Sequence, residues 1–287
     1  MHHAVPYFIL SAADLLLLLW VWLRTRQSFM FILLLVYTGM VFTFEYVIMV
    51  LLGSYVYLPQ IVPWRPYQDN VIGATISNVL TIPTLSVLIV MFRLRWLPVL
   101  GITLAVCAVE WLFVRLDVYE LHWWRIAYTL AALTFFFHLA KAWVYALERG
   151  FMDREKSKRL IAFLSLLMAS FALAATMMFV FSLAGIRLFR AGVFPEPYHD
   201  DVVLATIDAL TKACILAAVL YTTRRLLWRG LTLPLFAGLQ LWLLHTDRLR
   251  IFLAQPAYFA LYLLCCLGVL AVVSRIDGRI KRIAGLD

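Results

Sequence analysis

The sequence predicts an all-α polytopic membrane protein with about nine transmembrane helices. Of its 287 residues, 64% are hydrophobic and 14% are charged, whereas soluble domains average about 45–50% apolar and about 25% charged residues. Nearly uncharged stretches at 15–23, 29–52 and 259–273 suit the bilayer core, where a helix needs about 20 apolar residues to cross. No cleavable leader is expected before the first span, which should remain as an anchor.

Short connections separate the predicted helices, and two of them are rich in proline. Proline lacks a backbone donor and breaks helices, so the stretches YLPQIVPWRPY and VFPEPY are expected to be loops. The predicted spans are 7–23, 29–57, 70–92, 96–114, 124–147, 159–186, 200–222, 229–245 and 252–274.

Basic residues concentrate in alternate connections, which carry 16 of the 25 lysines and arginines, while the opposite connections carry seven. By the positive-inside rule, the amino terminus is outside and the carboxyl terminus is cytoplasmic, in a plasma membrane. Topology thus accounts for the net charge of +9 without a nucleic-acid partner, and the cytoplasmic excess can attract anionic lipid head groups. The 16 residues are Arg24, Arg26, Arg93, Arg95, Arg149, Arg154, Lys156, Lys158, Arg159, Arg224, Arg225, Arg229, Arg275, Arg279, Lys281 and Arg282, and the seven are Arg65, Arg115, Arg125, Arg187, Arg190, Arg248 and Arg250.

One sequence motif occurs twice along the chain, at positions 131 residues apart. Residues 66–93 and 197–224, which begin with PYQDNVIGATI and PYHDDVVLATI, share nine identities in 28 positions, and Trp111 matches Trp242 in the same register. The interval contains four predicted helices, so both copies cross the membrane in the same direction. The pattern predicts a duplication with parallel repeats, an arrangement that in transporters places the binding site between the halves.

This duplication organises the predicted single membrane domain, 1–287. Its segments are a leading helix at 1–27, a first four-helix repeat at 28–147, a basic cytoplasmic linker at 148–158, a second four-helix repeat at 159–276 and a cytoplasmic tail at 277–287.

Six acidic or lysine side chains fall inside predicted spans and away from the span ends, where each costs roughly 2.5–3.5 kcal/mol at a helix centre and commonly marks a functional site. Asp208 and Lys212 are four residues apart, the spacing at which an acid and a lysine meet on one helix face. They are either a self-neutralising pair or part of a polar site. Glu110 is either a site residue or a surface group that is hydrated or paired with Arg115. The six are Asp14, Glu45, Glu110, Lys141, Asp208 and Lys212, and the predicted substrate-binding site, facing outward, consists of Glu45, Asn78, Glu110, Asp208 and Lys212.

Other polar and aromatic residues have structural interpretations. Asp69, Asp200 and Asp201 start predicted helices, where they would cap the amino-terminal end of the helix dipole. Trp123 and Trp124 fit an interfacial aromatic belt better than a substrate platform.

His138 and Lys141 share a helix face, and a contact with a neighbouring carbonyl is favoured over a proton relay. The cysteines are interpreted as membrane packing, because they lie in apolar segments without the spacing of a zinc site. No metal and no cofactor are therefore predicted. The cysteines are Cys107, Cys214, Cys265 and Cys266.

Part of the chain resembles a known family. The run RPYQDNVIGATISNVLTIPTLSVLIVMF and the later run EWLFVRLDVYELHWWRIAYT are similar to the CBO0543 family of uncharacterised multi-helix membrane proteins of spore-forming Gram-positive bacteria. The resemblance covers about 28–147 and implies a multi-helix fold and a role in spores, but no activity. The second half departs from the pattern, with Leu241, Ala254 and Gln255 where the first half has the glutamate and the tryptophans. The matching residues are Glu110, Tyr119, Trp123, Trp124 and Tyr128.

Three functions fit these patterns, since the sequence contains no nucleotide-binding glycine loop, metalloprotease histidine pair or serine nucleophile elbow. A transporter-like protein for a small solute or ion is favoured by the duplication and the intramembrane charges. The second is an intramembrane enzyme or lipid-binding protein acting on an outer-leaflet lipid, with Glu110 or Asp208 as acid or base. The third is a non-catalytic scaffold that forms an oligomer or binds another membrane protein. Water-exposed helix positions would favour the first, a lipid-sized side opening the second and a dry core the third.

Overall fold

A computed structural model describes residues 2–151, 153–223 and 225–286. Within these residues, nine helices are long and apolar enough to cross a membrane, so the predicted all-α polytopic fold and the number of spans are confirmed. Arg224, counted above among the cytoplasmic residues and the repeat identities, lies outside the described residues. The helices are α1 (Ala4–Thr25), α2 (Phe29–Leu51), α3 (Pro66–Met91), α4 (Trp96–Arg115), α5 (Ile126–Arg149), α6 (Arg154–Leu183), α7 (Pro197–Thr222), α8 (Leu227–His245) and α9 (Gln255–Ala284).

Several helix boundaries differ from the predicted ones. α2 ends at Leu51, before its predicted end, because the chain turns into a strand. α3 and α7 begin at Pro66 and Pro197, since proline fixes the first helical φ and needs no amide partner there. α9 extends to Ala284, so most of the predicted tail at 277–287 is helical.

Two pairs of short antiparallel strands lie between helices, a feature that the sequence analysis did not predict. A three-residue strand is too short to be recognised by alternation. Gly73 of α3 allows β1 to approach this helix, because a Cβ atom at this position would lie 2.5 Å from the Cβ of Tyr57. The pairs are β1 (Tyr55–Tyr57) with β2 (Tyr119–Leu121), and β3 (Arg187–Phe189) with β4 (Leu249–Ile251).

The chain forms two compact units. Unit 1 comprises Met1–Phe151 with α1–α5, and unit 2 comprises Met152–Asp287 with α6–α9. In unit 1, the leading helix α1 packs against α3. The predicted basic linker at 148–158 is mostly helical, because α5 ends at Arg149 and α6 begins at Arg154.

Two helices of unit 1 contain a π-helical turn, at Tyr46–Leu51 in α2 and at Ile76–Thr81 in α3. Such turns interrupt the regular helix and are frequent at functional sites. The helices of unit 2 contain none over the residues that the structure describes. Glu45 lies immediately before the first turn and Asn78 lies within the second. Both predicted site residues therefore occur where the backbone departs from a regular α-helix.

Asp69 and Asp200 stabilise loops, which corrects the prediction that they cap helices. Asp69 accepts hydrogen bonds at 2.7–2.8 Å from the backbone amides of 60–62, in the loop before α3. Asp200 accepts equivalent bonds at 2.7–3.1 Å from the amides of 192–194, in the loop before α7. The helices begin at the preceding prolines, so each aspartate lies inside the first turn and points back to the loop. At α7 the capping residue is Glu196.

Candidate ligand-binding cavity

Unit 1 contains a cavity of about 650 Å³ lined by residues of α1 to α5 and of the paired strands β1 and β2. Most of the lining is aliphatic or aromatic, with residues such as Leu10, Val106 and Phe136. Ligand pockets in proteins are usually about 300–1,000 Å³, mostly apolar, with a few placed polar groups. The cavity therefore has the size and character of a small-molecule site.

Three carboxylates line the cavity, those of Asp14, Glu45 and Glu110. Asp14 accepts a hydrogen bond from Thr81 Oγ1 at 2.5 Å, and Glu45 Oε1 accepts one from the Tyr55 hydroxyl at 2.7 Å. Glu45 Oε2 and both carboxylate oxygens of Glu110 are buried and make no hydrogen bond of ordinary geometry among the described residues, although the Asn78 amide approaches Glu45 and the Thr129 hydroxyl approaches Glu110. A buried acceptor without a donor costs about 1–3 kcal/mol. These three oxygens are therefore positions to which a ligand can donate.

Asn78 lies beside Glu45, just behind the cavity lining. It is 4% exposed, its side-chain amide approaches the Glu45 carboxylate, and its Oδ1 is buried without a partner in the described part of the chain. Three of the five predicted site residues, Glu45, Asn78 and Glu110, thus belong to one region of unit 1. Asp208 and Lys212 belong to unit 2, and a common site for all five stays a prediction.

Aromatic side chains surround the carboxylates Glu45 and Glu110. Tyr55, Tyr57 and Tyr119 form a cluster with ring centroids 4.8–5.8 Å apart, and Trp124 lies 5.8 Å from Tyr55. Burial, reinforced by nearby acidic groups, raises the pKa of all three tyrosine hydroxyls well above the ordinary value. The phenols are therefore neutral at physiological pH, and all three tyrosines line the cavity. We call this part of the cavity, with its carboxylates and aromatic rings, the polar end.

The cavity is partly open, and exposed residues of its lining lie on the side of unit 1, within the length of the spans. Phe44 of α2 and Phe135 of α5 line the cavity and are also 43% and 70% exposed. Ala105 of α4 is a third lining residue that is exposed. All three positions lie well inside apolar helices, where the surrounding medium in a membrane is lipid hydrocarbon. An opening at this depth faces the hydrocarbon region of a surrounding bilayer.

In unit 2, Asp208 and Lys212 form the ion pair that their spacing predicts, and both side chains are 1% exposed. Asp208 Oδ1 accepts a hydrogen bond from Gln240 Nε2 at 3.1 Å, and Gln240 Oε1 accepts one from the Tyr258 hydroxyl at 2.8 Å. Lys212 Nζ also lies 4.8 Å from the centroid of the Tyr262 ring. The pairing is confirmed, and it is part of a buried network.

A second buried ion pair, Arg187–Asp201, was not predicted from the sequence. The two side chains are 0% and 1% exposed. Arg187 also donates to the Met178 carbonyl at 2.6 Å, and Asp201 accepts from the Ser182 hydroxyl and the Phe189 amide, each at 2.6 Å. The sequence analysis assigned Arg187 to an outer loop and Asp201 to a helix cap. Their contact follows from the packing of β3 against α7, which no local sequence signal indicates.

Glu110 is neither a hydrated surface group nor a partner of Arg115, which corrects one alternative considered from the sequence. Both Glu110 oxygens are buried, and the Arg115 guanidinium lies 5.3 Å from the centroid of the Trp111 ring. Trp124 also differs from the belt interpretation, because it lines the cavity and donates to the Thr129 hydroxyl at 2.8 Å. Both residues therefore belong to the candidate site.

The predicted carbonyl contacts of two residues outside the cavity are confirmed. Lys141 Nζ donates to the Leu94 carbonyl at 2.7 Å, and His138 Nδ1 lies 2.7 Å from the Thr134 carbonyl. Trp123 is 46% exposed, and its place in an aromatic belt stays a prediction. These residues have structural roles that need no ligand.

Matching backbone turns align the residues of unit 1 and unit 2 at a spacing that differs from the one found in the sequence. Asp117 and Asp247 both adopt left-handed φ angles, 55° and 54°, shortly before β2 and β4. Seven residues before these aspartates stand Glu110 and Gln240. Relative to these two turns, Gln240 rather than Leu241 stands at the position of Glu110. This spacing differs by one residue from the register of 131 residues, and the duplication itself stays a prediction.

Known proteins provide no functional assignment for this chain, so a proposal depends on the geometry of the cavity. No family model, curated protein or solved structure matches the chain. The resemblance to a membrane-protein family of spore-forming bacteria stays a prediction.

Proposed function

We propose that this multi-pass membrane protein binds an amphipathic, lipid-like molecule in the cavity of unit 1. The observation that carries the proposal is the side opening at membrane depth, which leads to the polar end. The apolar wall holds a hydrocarbon tail, while the carboxylates and aromatic rings hold a head group. A side opening of this kind favours lipid binding over the transport of a water-soluble solute, the function that the sequence analysis favoured.

The proposed orientation places the polar end near the outer surface of a plasma membrane. The positive-inside rule supports an external amino terminus. β1 follows the second span and β2 follows the fourth, so both strands lie on the side of the amino terminus. The head group of a bound molecule is then near the outer leaflet, with its tail directed inward.

Movement of this molecule between leaflets is a second candidate function, and a duplication supports it. The loops held by Asp69 and Asp200 have matching hydrogen bonds, and Asp117 and Asp247 have matching backbone angles. We infer that the two units descend from one ancestor. Parallel repeats are typical of transporters.

One substitution that fills the cavity tests the proposed function. Ala132 lines the cavity, whereas its neighbour in α5, Ala131, is exposed on the helix surface. Ala132→Trp should displace the ligand, and Ala131→Trp, the matched control, should retain it. Molecules that copurify with each protein are extracted and identified by mass spectrometry. We expect a lipid-like species in the wild type and in Ala131→Trp that is lost in Ala132→Trp. Equal amounts in all three proteins, or no such species in any, would argue against the proposed site.

A further inference from the structure

We propose that the head group bound at the polar end is a primary ammonium carried on an apolar tail, an inference that rests on the proposed function. Four features of the protein support it: the charge of the lining, the type of hydrogen-bonding atom left unpartnered, the aromatic surroundings and the corresponding residues of unit 2.

The lining carries acidic groups and no basic group. Asp14, Glu45 and Glu110 contribute carboxylates, and no lysine, arginine or histidine is among the described residues that line the cavity. Ionised carboxylates in an apolar environment are unfavourable unless they are paired with a cation, and otherwise they take up a proton. A bound cation relieves this cost, whereas a phosphate or carboxylate head group increases it.

The unpartnered atoms at the polar end are all hydrogen-bond acceptors. They are Glu45 Oε2, Glu110 Oε1 and Oε2, and the neighbouring Asn78 Oδ1, all buried and without a hydrogen bond of ordinary geometry among the described residues. The nearby Asn78 amide and Thr129 hydroxyl leave most of this acceptor capacity unused. A primary ammonium carries three donors, a hydroxyl carries one and a quaternary ammonium carries none. A primary ammonium is thus the head group that satisfies most of these acceptors.

The aromatic rings at the polar end favour a cation as well. Tyr55 and Trp124 meet edge to face with ring centroids 5.8 Å apart, and both line the cavity beside the carboxylates. Ring faces attract ammonium groups within about 6 Å, more strongly where water is excluded. The phenols remain neutral, so they add no charge that would bind a second cation.

In unit 2, a lysine side chain supplies an ammonium group in surroundings like those proposed for the ligand. The Lys212 ammonium is held between the Asp208 carboxylate and the Tyr262 ring. In the register of 131 residues, Asp208 and Lys212 correspond to Ser77 and Thr81, which line the cavity in unit 1. At the two positions where unit 2 has an aspartate and a lysine, unit 1 therefore has short hydroxyl side chains that leave the cavity lining without an ammonium group of its own.

Probes that share a tail and differ in head group test the inference. Dodecylamine, dodecanol and dodecyltrimethylammonium carry a primary ammonium, a hydroxyl and a quaternary ammonium. Their binding to the full chain in nanodiscs is measured by native mass spectrometry over a range of probe concentrations. We expect one dodecylamine to bind per protein, about tenfold or more tightly than either other probe, because hydrogen bonds between charged groups are the strong ones.

Variants at the acidic positions locate the ammonium. Glu110→Gln removes the charge at nearly constant size and should weaken dodecylamine binding about tenfold or more, and dodecanol binding much less, because a hydroxyl can still donate to the amide oxygen. Glu120→Gln is the matched control, because Glu120 lies on β2 with a side chain that is 64% exposed. This control should bind all probes as the wild type does. Glu45→Gln should weaken dodecylamine binding in the same way. If Glu110→Gln does not fold, Glu45→Gln is used in its place.

The outcomes separate the inference from the proposed function. If dodecylamine and dodecanol bind equally, or dodecyltrimethylammonium binds as tightly as the amine, the primary-ammonium inference is overturned while the lipid-like site stands. If no probe binds, or all probes bind equally well to Ala132→Trp, the proposed function is overturned together with the inference.

Discussion

Lys212 and Asp208 form an ion pair on α7 in which each side chain is only 1% exposed. Gln240 holds the acid by donating to Asp208 Oδ1 at 3.1 Å, and Tyr258 in turn donates to Gln240 at 2.8 Å. The ring of Tyr262 covers the ammonium group. Such a pair adds little net stability, but breaking it is costly because the remaining charge is left buried without its partner.

Lys212→Met should therefore destabilise the protein. The variant leaves the Asp208 carboxylate with Gln240 as its remaining side-chain donor, and the loss of one partner of a buried pair costs roughly 3–5 kcal/mol. The free energy of unfolding is measured by denaturant titration in detergent micelles. The double variant Lys212→Met with Asp208→Asn should recover most of the loss, because no buried charge remains.

An exposed lysine provides the control for this prediction. Lys156 pairs with Asp153, but their side chains are 86% and 54% exposed. Exposed pairs contribute about 0–1 kcal/mol, so Lys156→Met should leave the free energy of unfolding almost unchanged. Equal losses in the two lysine variants, or no recovery in the double variant, would contradict the proposed role of burial.

The spans and the Asp208–Lys212 pair were predictable because both depend on local sequence. The length of an apolar run identifies a span, and a spacing of four residues places two side chains on one helix face. The pair Arg187–Asp201 was not predictable, since its members lie on different elements. The same is true of the four strands, which are too short to show a periodic pattern.

The candidate site was predictable only in part. Glu45 and Glu110 stand out in the sequence because acids are rare in membrane spans. Their common cavity with Tyr55 and Tyr119 depends on the pairing of β1 with β2, and on π-helical turns that no sequence pattern marks. The sequence therefore indicates the two glutamates of the candidate site but not the cavity that they line.

Asp69→Ala should loosen the loop before α3. The Asp69 carboxylate accepts hydrogen bonds from the backbone amides of 60–62, and bonds to charged groups contribute about 1.5–3 kcal/mol each. Hydrogen exchange followed by mass spectrometry should show about tenfold or faster exchange in this loop. Asp69→Asn should have an intermediate effect because it keeps one acceptor oxygen, and Glu120→Ala should have none. Unchanged exchange in Asp69→Ala would show that the carboxylate does not hold the loop.

His122 and Lys156 should be accessible from opposite sides of the membrane. They are separated by one span, Ile126–Arg149, and the positive-inside rule places His122 outside. Each is replaced by cysteine in a variant without the four native cysteines and treated with a membrane-impermeant maleimide. We expect His122→Cys to react in intact cells and Lys156→Cys only after permeabilisation. The reverse pattern would contradict the orientation, and labelling of both in intact cells would contradict the span between them.

The tyrosines of the cavity should make stability fall in alkaline solution. Burial raises the pKa of Tyr57 well above its ordinary value, whereas in the unfolded chain this hydroxyl ionises near pH ~10. Above that pH the unfolded state has lost a proton that the folded state still holds. The contribution of Tyr57 is therefore constant below pH ~10 and decreases as the pH rises toward the folded-state pKa. Tyr57→Phe should lessen the decrease by about 1.4 kcal/mol per pH unit, measured from denaturant unfolding between pH ~8 and pH ~11. Parallel curves for the two proteins would mean that the Tyr57 hydroxyl ionises as readily in the folded state as in the unfolded chain.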